Sequence, residues 1–339
     1  MLKRQSRSSK ALTQLNGRAS PSRRRPSYGS KTAATLKKLE TATLKQYRNH
    51  IRLHIVPKIG GIRLAQLSAP IVDDFKDRLL AANSRVMTGK VLTSLRSILA
   101  HAQAKGRVGH NAAAAVRLGA KQRRESGRLE IGRDIPAKDE VRRILDAVHG
   151  TRWHPILATA AMAGLRSSEL RGLRWNDLDL DVGILRVRRR ADETGNMGSP
   201  KSAAGARDIP MSPWLVNVLK RWRLECPRAK GVLDLVFPNG KGHVENHANI
   251  ANRGLYATER KLGILDAAGS PRYGMHSLRH FFASLMIEQN HLPKRVQEML
   301  GHSSLQMTYD RYGDLFPAGD GERTKMEQAS AFLAATKSV

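Results

Sequence analysis

Along most of this 339-residue chain the apolar residues recur every three or four positions, the period of a helix with one buried face, and the stretch between residues 183 and 211 follows a different rhythm. A chain patterned in this way can build helical layers and at most a small sheet. "TATLKQYRNHIRLHIV" from Thr41 and "SAPIVDDFKDRLLAA" from Ser68 carry the helical spacing, the second with Pro70 in its first turn. "KVLTSLRSILAHAQAKG" repeats it and stops at Gly106, a residue suited to a helix C-cap. Residues 41–120 are therefore expected to form a small bundle of four helices with basic outer faces. The charged, glycine-punctuated run "GAKQRRESGRLEIGRD" breaks the pattern, which predicts a linker over 121–134.

Beyond it, "PAKDEVRRILDAV" and "HPILATAAMAG" read as helices, and "GILRVRRR" reads as a strand because Ile184, Leu185 and Val187 are bounded by turn residues. "GSPKSAAGARDIPM" predicts a turn, with Lys201 on a hairpin tip, and then a second short strand. Helices are expected at "SPWLVNVLKRWRLEC" and over 246–262, 277–288, 293–300 and 303–310. The fold class that follows is mainly α with a small antiparallel β-sheet (α+β).

Charge narrows the partner. Lys and Arg number 59 against 29 Asp and Glu, a formal net charge of +30, and so basic a surface calls for a polyanion. Aromatics are only 5% of the chain, too few for rows of stacking platforms on single strands, so duplex backbone is the better match. No apolar run is long enough to span a bilayer, and the N-terminus lacks the apolar core of a secretion signal, which predicts an intracellular protein with no membrane partner. The single Cys226 excludes an internal disulfide and a cysteine-built zinc site. Residues 1–40, with the cluster "SRRRPS", read as a flexible basic arm, with Arg23, Arg24 and Arg25 as candidate DNA contacts. Lys45, Arg48, Arg52, Lys90 and Arg96 are the candidates on the helical block.

Several polar residues sit where chemistry could use them. Arg166 ends one apolar helix and precedes another that Ser167 or Ser168 could cap. In "HSLRHFFASLMIEQ" the residues Leu278, Phe281, Phe282 and Leu285 define a core face, which puts His276 and Arg279 together on the other side. Taken singly, each is an ordinary solvated basic residue. Lys201 lacks the spacing of a nucleotide-binding loop. His243 and His247 flank Glu245 in a turn and read as exposed loop histidines. Near the C-terminus "LGHSSLQMTYDRYGD" holds two tyrosines, of which Tyr309 stands four residues after Leu305, the spacing of a packing pair.

Taken in order, "AGLRSSELRGLRW", "PKSAAGARDIP", "HSLRH", "LGHSS" and "YDRYGDLFP" resemble the motifs of the tyrosine recombinases, above all the phage and genomic-island integrases of bacteria. The resemblance covers about 135–315 as a catalytic domain, and 41–120 resembles that family's core-DNA-binding domain, leaving 316–339 as a C-terminal tail helix. It implies a catalytic set of Arg166, Lys201, His276, Arg279, His302 and Tyr312, with Glu169 in support. Tyr312 lies ten residues after His302, the family's spacing for its nucleophile, and Tyr309 does not. The implied reaction cuts duplex DNA through a 3′-phosphotyrosine and rejoins it, with no metal and no cofactor. Two arginines would stabilise the charge on phosphorus, and Lys201 would protonate the leaving 5′ oxygen. The implied partners are duplex attachment sites, three further copies in a tetramer, a DNA-bending host factor and a directionality factor, in the bacterial cytoplasm at the nucleoid. The tail residues Met326, Ala329, Phe332 and Leu333 form an apolar stripe suited to docking on a neighbouring protomer. Alternatives are a type IB topoisomerase and an integrase-derived protein that binds DNA without cutting it. The charge excess predicts that affinity for duplex DNA falls about 10³-fold or more between about 50 and 200 mM salt. Fluorescence anisotropy at the two concentrations checks this, and a salt-independent Kd would count against it.

Overall fold

Pro57 shapes the first helix. A proline inside a helix has no N–H to donate, and its ring crowds the carbonyl four residues back, here that of Leu53. The chain widens to accommodate it: α1 (Thr41–His50) runs on into a π-helical stretch, Ile51–Ile55, and a last turn, Val56–Ile59, with Val56 N–H donating to Ile51 O. The computed structural model describes residues 41–119, 129–227, 233–317, 326–328, 330 and 331, and divides the chain into two compact units, Met1–Arg124 and Glu125–Val339. The basic arm expected at 1–40, with Arg23, Arg24 and Arg25, and most of the expected tail helix lie outside the described residues.

In the first unit α2 (Ala69–Ala82) and α3 (Arg85–Ala104) follow α1. Val72, Phe75 and Leu79 on α2 meet Val91, Leu95 and Leu99 on α3, all buried, and Ile55 and Ile59 close the same core. His50 Nδ1 lies 2.7 Å from Ser94 Oγ, tying α1 to α3. Three long helical rods are present among the described residues where four were expected. The run around the alanines 112–115 would favour a helix by composition, but side chains take its backbone groups instead. Asn111 accepts from Ala113 N, and Arg96 donates to Ala113 O at 3.2 Å and Val116 O at 3.0 Å. Arg96, expected on a DNA-facing surface, is thus a half-buried internal clamp. Lys45, Arg48, Arg52 and Lys90 are exposed.

The second unit opens with a turn at 129–135 that buries Ile135 completely and accepts Arg272 Nη1 on Gly132 O. Then come α4 (Lys138–Ala147), α5 (Trp153–Ala163) and α6 (Ser167–Arg171). The strands are β1 (Leu178–Asp179), β2 (Ile184–Val187), β3 (Arg190–Ala191), β4 (Met197–Gly198) and β5 (Arg207–Pro210). β1, β2 and β5 form one antiparallel sheet in that order, with Leu185 opposite Ile209, and β3 and β4 form a separate hairpin. The tip of that hairpin is Asp192–Asn196, where the Asp192 carboxylate accepts from Thr194 N and Asn196 N. Lys201 is therefore not on the tip; it follows the return strand. The remaining elements are α7 (Pro213–Glu225), α8 (His247–Asn249, π-helical through Ile250–Tyr256, then Ala257–Leu262), α9 (Met275–Glu288), α10 (Pro293–Leu300) and α11 (Leu305–Tyr312). The architecture is the mainly helical one with a small antiparallel sheet that the periodicity predicts.

α5 is the centre of this unit. Residues 155–161 are all buried, and α9 packs across it. The crossing is close because α5 ends at Gly164, whose φ of 58° suits glycine and where a Cβ would lie 2.3 Å from the Phe282 ring. At the edge of the core, Glu259 is fully buried, with Oε2 accepting from Tyr273 N at 3.2 Å and Oε1 without a hydrogen-bond partner among the described residues. Tyr273 in turn donates its hydroxyl to Glu140 Oε2 at 2.7 Å. Burial first, and then the nearby Glu140 charge, push the Glu259 carboxyl up to about 7 despite the Tyr273 bond and the cations Arg272 and Arg260. An acid raised in the folded state is protonated there at pH values where the unfolded chain has released its proton. Stability therefore falls as pH rises from about 4.5 through about 7. Glu259→Gln is expected to melt with wild type near pH 4.5 and above it at pH 8, as read by circular dichroism. A gap that does not change with pH would contradict this.

Candidate active site

Three arginines converge beside α6, and main-chain carbonyls at helix ends hold them. Arg279, on α9, is 2% exposed and donates to Gly164 O at 2.7 Å and Leu300 O at 2.5 Å. Arg166 donates through Nη2 to Gly301 O at 2.9 Å. Gly164 and Leu300–Gly301 are the C-terminal ends of α5 and α10, where unpaired carbonyls carry the negative end of the helix dipole and favour cations. Gly301 takes a φ of 63°, and a Cβ there would lie 2.8 Å from Ala204 O. Arg207, on β5, donates to Met299 O at 2.6 Å and Gly205 O at 2.9 Å. The outward face expected for both His276 and Arg279 is corrected here: His276 is exposed, but Arg279 lies within the packed interior.

One carboxylate serves this group. Glu169 accepts from Arg166 Nη1 at 2.8 Å and from Arg207 Nη2 at 2.9 Å, and its Oε2 also takes the Arg166 backbone N–H at 3.0 Å. The last bond makes Arg166 itself the N-cap of α6, in place of the Ser167 or Ser168 that the sequence suggests. Burial alone would raise the Glu169 carboxyl, but Arg207 and then Arg166 outweigh it and hold it below the usual carboxylate range. Burial, then Arg166 and Arg207, push the Arg279 guanidinium down to about 9, so it remains a cation at neutral pH. Three guanidinium charges against one carboxylate leave a local excess of positive charge in a poorly solvated place. A bound anion would relieve it.

Tyr312 is the last residue of α11, a helix that runs two residues further than the periodicity suggests. That extension places Thr308 and Tyr312 one turn apart on the buried face. The Tyr312 side chain is 1% exposed, and its hydroxyl lies 2.7 Å from His280 Nδ1. Its ring stacks on that of His302, with centroids 6.3 Å apart and planes at 8°. His302 Nδ1 is 2.9 Å from Thr308 Oγ1, and Gln297 Nε2 donates to His302 O at 2.9 Å, so the second imidazole is fixed as well. His276 stands one turn before His280, ring to ring at 4.6 Å and edge to face. Burial pushes the Tyr312 phenol up to about 12 even though Arg279 and Arg311 oppose it. Burial and then the surrounding cations push His280 and His302 down to about 3, and His276 to about 4. All three imidazoles and the phenol are neutral at pH 7.

Of the residues proposed from sequence, Arg166, Glu169, Arg279, His302, Tyr312 and His276 come together. Lys201 is exposed and has no ion pair or hydrogen bond among the described residues. Tyr309 is not the packing residue its spacing to Leu305 implies. It is 46% exposed and Leu305 is 37% exposed, the nearest ring being Phe316 at 5.8 Å. His247 opens α8 rather than sitting in a loop, and its Nδ1 lies 2.6 Å from Ser167 Oγ. Sequence reading missed two members, Arg207 and His280. His280 could have been found as the residue one turn after His276, on the same helix face. Nothing in the sequence marks Arg207, because its partners Gly205, Glu169 and Met299 come from the turn before β5, from α6 and from α10. No group of His, Cys, Asp and Glu among the described residues could hold a metal ion.

The arrangement can grip a phosphodiester on two arginines and present a phenol with a nitrogen base against it. A model of the phage integrase family matches residues 137–318. A XerC-like tyrosine recombinase of Caldanaerobacter subterraneus subsp. tengcongensis is 27% identical over 295 residues, covering 81% of this chain and 75% of the relative. A XerC tyrosine recombinase of Brucella melitensis biotype 1 is 27% identical over 299 residues, 82% of this chain and 86% of the relative. Among solved structures, the Tn1549 transposon integrase in complex with a circular intermediate DNA superposes with a TM-score of 0.71 at 18% identity, over 88% of this chain and 97% of that one. A lambda integrase dimer bound to a core site gives 0.62 at 17% identity, over 85% and 94%. At such identity the structural likeness is one of fold.

Removing the Glu169 charge leaves Arg207 and Arg166 unpaired beside Arg279, and breaking a buried pair in this way costs about 3–5 kcal/mol. Glu169→Gln is expected to lower the denaturation midpoint by that order. A carboxyl depressed in the fold stabilises fully above its unfolded pKa and loses that contribution as pH falls below about 4.5. The deficit should therefore shrink in acid, and a urea series from pH 7 to pH 3 that finds it constant would contradict the assignment.

Proposed function

The chain belongs to the phage integrase family, the tyrosine recombinases, enzymes that cut and rejoin DNA strands at specific sites, and we propose that it does so through Tyr312 held against a phosphodiester bound by Arg166 and Arg279. The observation that carries this reading is the unbalanced arginine group itself. Two of its members, Arg166 and Arg279, reach it from different helices, and Tyr312 and His302 lie in the electrostatic field of Arg279.

Attack by Tyr312 Oη adds negative charge to the non-bridging oxygens. Arg166 and Arg279 are already oriented by fixed carbonyls and need little rearrangement to stabilise it. The restraint of His302 by Thr308 on Nδ1 leaves Nε2 available to the phosphate, and His276, on the solvent side, can donate to the same anion. Lys201, exposed and unpaired among the described residues, suits an acid that moves to the leaving 5′ oxygen. A neutral tyrosine is about 0.1% ionised at pH 7 even at an ordinary pKa, a deficit of about 4 kcal/mol, so the site must remove its proton during attack. The product is a 3′-phosphotyrosine that keeps the bond energy for rejoining. Lys45, Arg48, Arg52 and Lys90, exposed on α1 and α3, would grip duplex backbone. Duplex attachment sites, a tetramer on DNA and accessory bending and directionality factors complete the proposal, supported by membership of a family whose relatives are named recombinases.

The test is covalent trapping. Wild type and Tyr312→Phe are incubated with nicked duplex fragments tiled across the DNA flanking the gene and separated under denaturing conditions. A protein–DNA adduct with wild type only is the expected outcome. An adduct that survives in Tyr312→Phe would move the nucleophile to the exposed Tyr309. Binding without any adduct would favour a DNA-binding protein without catalysis.

A further inference from the structure

We propose that His280 accepts the phenolic proton of Tyr312 as the tyrosine oxygen bonds to phosphorus, an inference that rests on Tyr312 being the nucleophile. His280 Nδ1 is the side-chain atom hydrogen-bonded to Tyr312 Oη among the described residues, at 2.7 Å. The distance is within the reach required of a general base. His280 is 6% exposed and Tyr312 1%, so bulk water does not compete for the proton. Neither His276 nor His302 makes this bond. His276 meets the His280 ring edge to face, and the His302 ring lies parallel to the phenol with centroids 6.3 Å apart while its Nδ1 is engaged by Thr308 Oγ1.

The groups around His280 explain how such a base stays idle until DNA arrives. His276 one turn earlier on α9, Arg279 beside it and Arg311 on α11 are cations or potential cations facing the ring, with Asp134 the opposing carboxylate. They and burial suppress its basicity in the free protein. A phosphodiester bound at Arg279 brings a negative charge into the same space, offsets those cations and makes an imidazolium tenable. Proton transfer is thereby coupled to occupation of the site.

The step balances without an outside reactant. The Tyr312 O–P bond forms and the P–O5′ bond breaks; the phenolic proton moves to His280 Nδ1, and the leaving oxygen takes one from the Lys201 ammonium. Rejoining runs in reverse, with the 5′ hydroxyl returning its proton to Lys201 and His280 returning its own to the departing phenoxide.

Single-turnover adduct formation separates this role from its neighbours. Full-length wild type, His280→Ala, His280→Asn and Lys201→Ala are compared from pH 5.5 to pH 9.5 on the fragment that trapping identifies. The fragment is made both with an ordinary phosphodiester and with a 5′-bridging sulfur, which leaves without a proton. Both His280 variants are expected to lose about 10²-fold or more on both substrates, and their rates should keep rising with pH where wild type is level. The sulfur substrate should rescue Lys201→Ala alone. Asparagine keeps a polar atom at the place of Nδ1, so His280→Asn, checked by its melting curve, tests the idea if alanine unfolds the site. Rates near or above wild type would overturn the proposal, as would a loss with an unchanged pH profile. Absence of the wild-type adduct, or its survival in Tyr312→Phe, would instead overturn the nucleophile assignment beneath it.

Discussion

The carboxylate of Glu169 holds Arg166 and Arg207 together and caps α6 in the same place, so a strand, a short helix and the ends of α5 and α10 meet around one buried anion. It neutralises only part of the charge it gathers. Arg279 has main-chain carbonyls as its partners and stays cationic with its affinity for the proton reduced. The free enzyme therefore carries an electrostatic cost that a phosphate would relieve, which is how a site becomes selective for an anion before any base is read. The same carbonyls fix the direction of the guanidinium groups. Arginine is the residue type such a site requires, since its planar fork can bond a carbonyl on one edge and an oxyanion on another.

Opposed requirements meet at Tyr312. Burial gives the phenol a fixed pose and a hydrogen-bonded imidazole, yet it also raises the cost of ionising the oxygen. The positive field of Arg279 and Arg311 works against that cost without removing it. An uncharged tyrosine among neutral imidazoles is a safe resting state for a DNA-cutting enzyme. Tyr309, 46% exposed beside Phe316, has none of these hydrogen-bond partners among the described residues.

Much of this was legible in the residues. The three- and four-residue apolar period anticipates α2, α3, α5 and α9, because each buries one stripe or more against a neighbour. "GILRVRRR" announces β2, where the buried positions Leu185 and Val187 alternate with partly exposed ones. The resemblance to the integrases, through its ten-residue spacing from His302, points to Tyr312, the buried one of the two tyrosines. What stayed hidden depends on partners distant in sequence. Arg96 looks like any basic residue until Ala113 and Val116 fold back onto it, and Arg207 looks like a strand charge until Met299 and Glu169 surround it. Tyr309 and Leu305 share a helix face, but among the described residues that face stays partly exposed, with the Phe316 ring 5.8 Å from Tyr309.

The sequence by itself determined the helical character of the chain, the change from a helical block to a mixed second block, and its demand for a polyanionic partner. These follow from local spacing and net charge, which do not depend on how the chain closes. Tertiary structure alone decided which arginines are buried and which carbonyls hold them, that His280 rather than its neighbours bonds the phenol, and that Tyr312 rests enclosed and neutral. Each of those depends on side chains from elements up to about 135 residues apart meeting within hydrogen-bond distance. Short-range periodicity carries no information about such meetings.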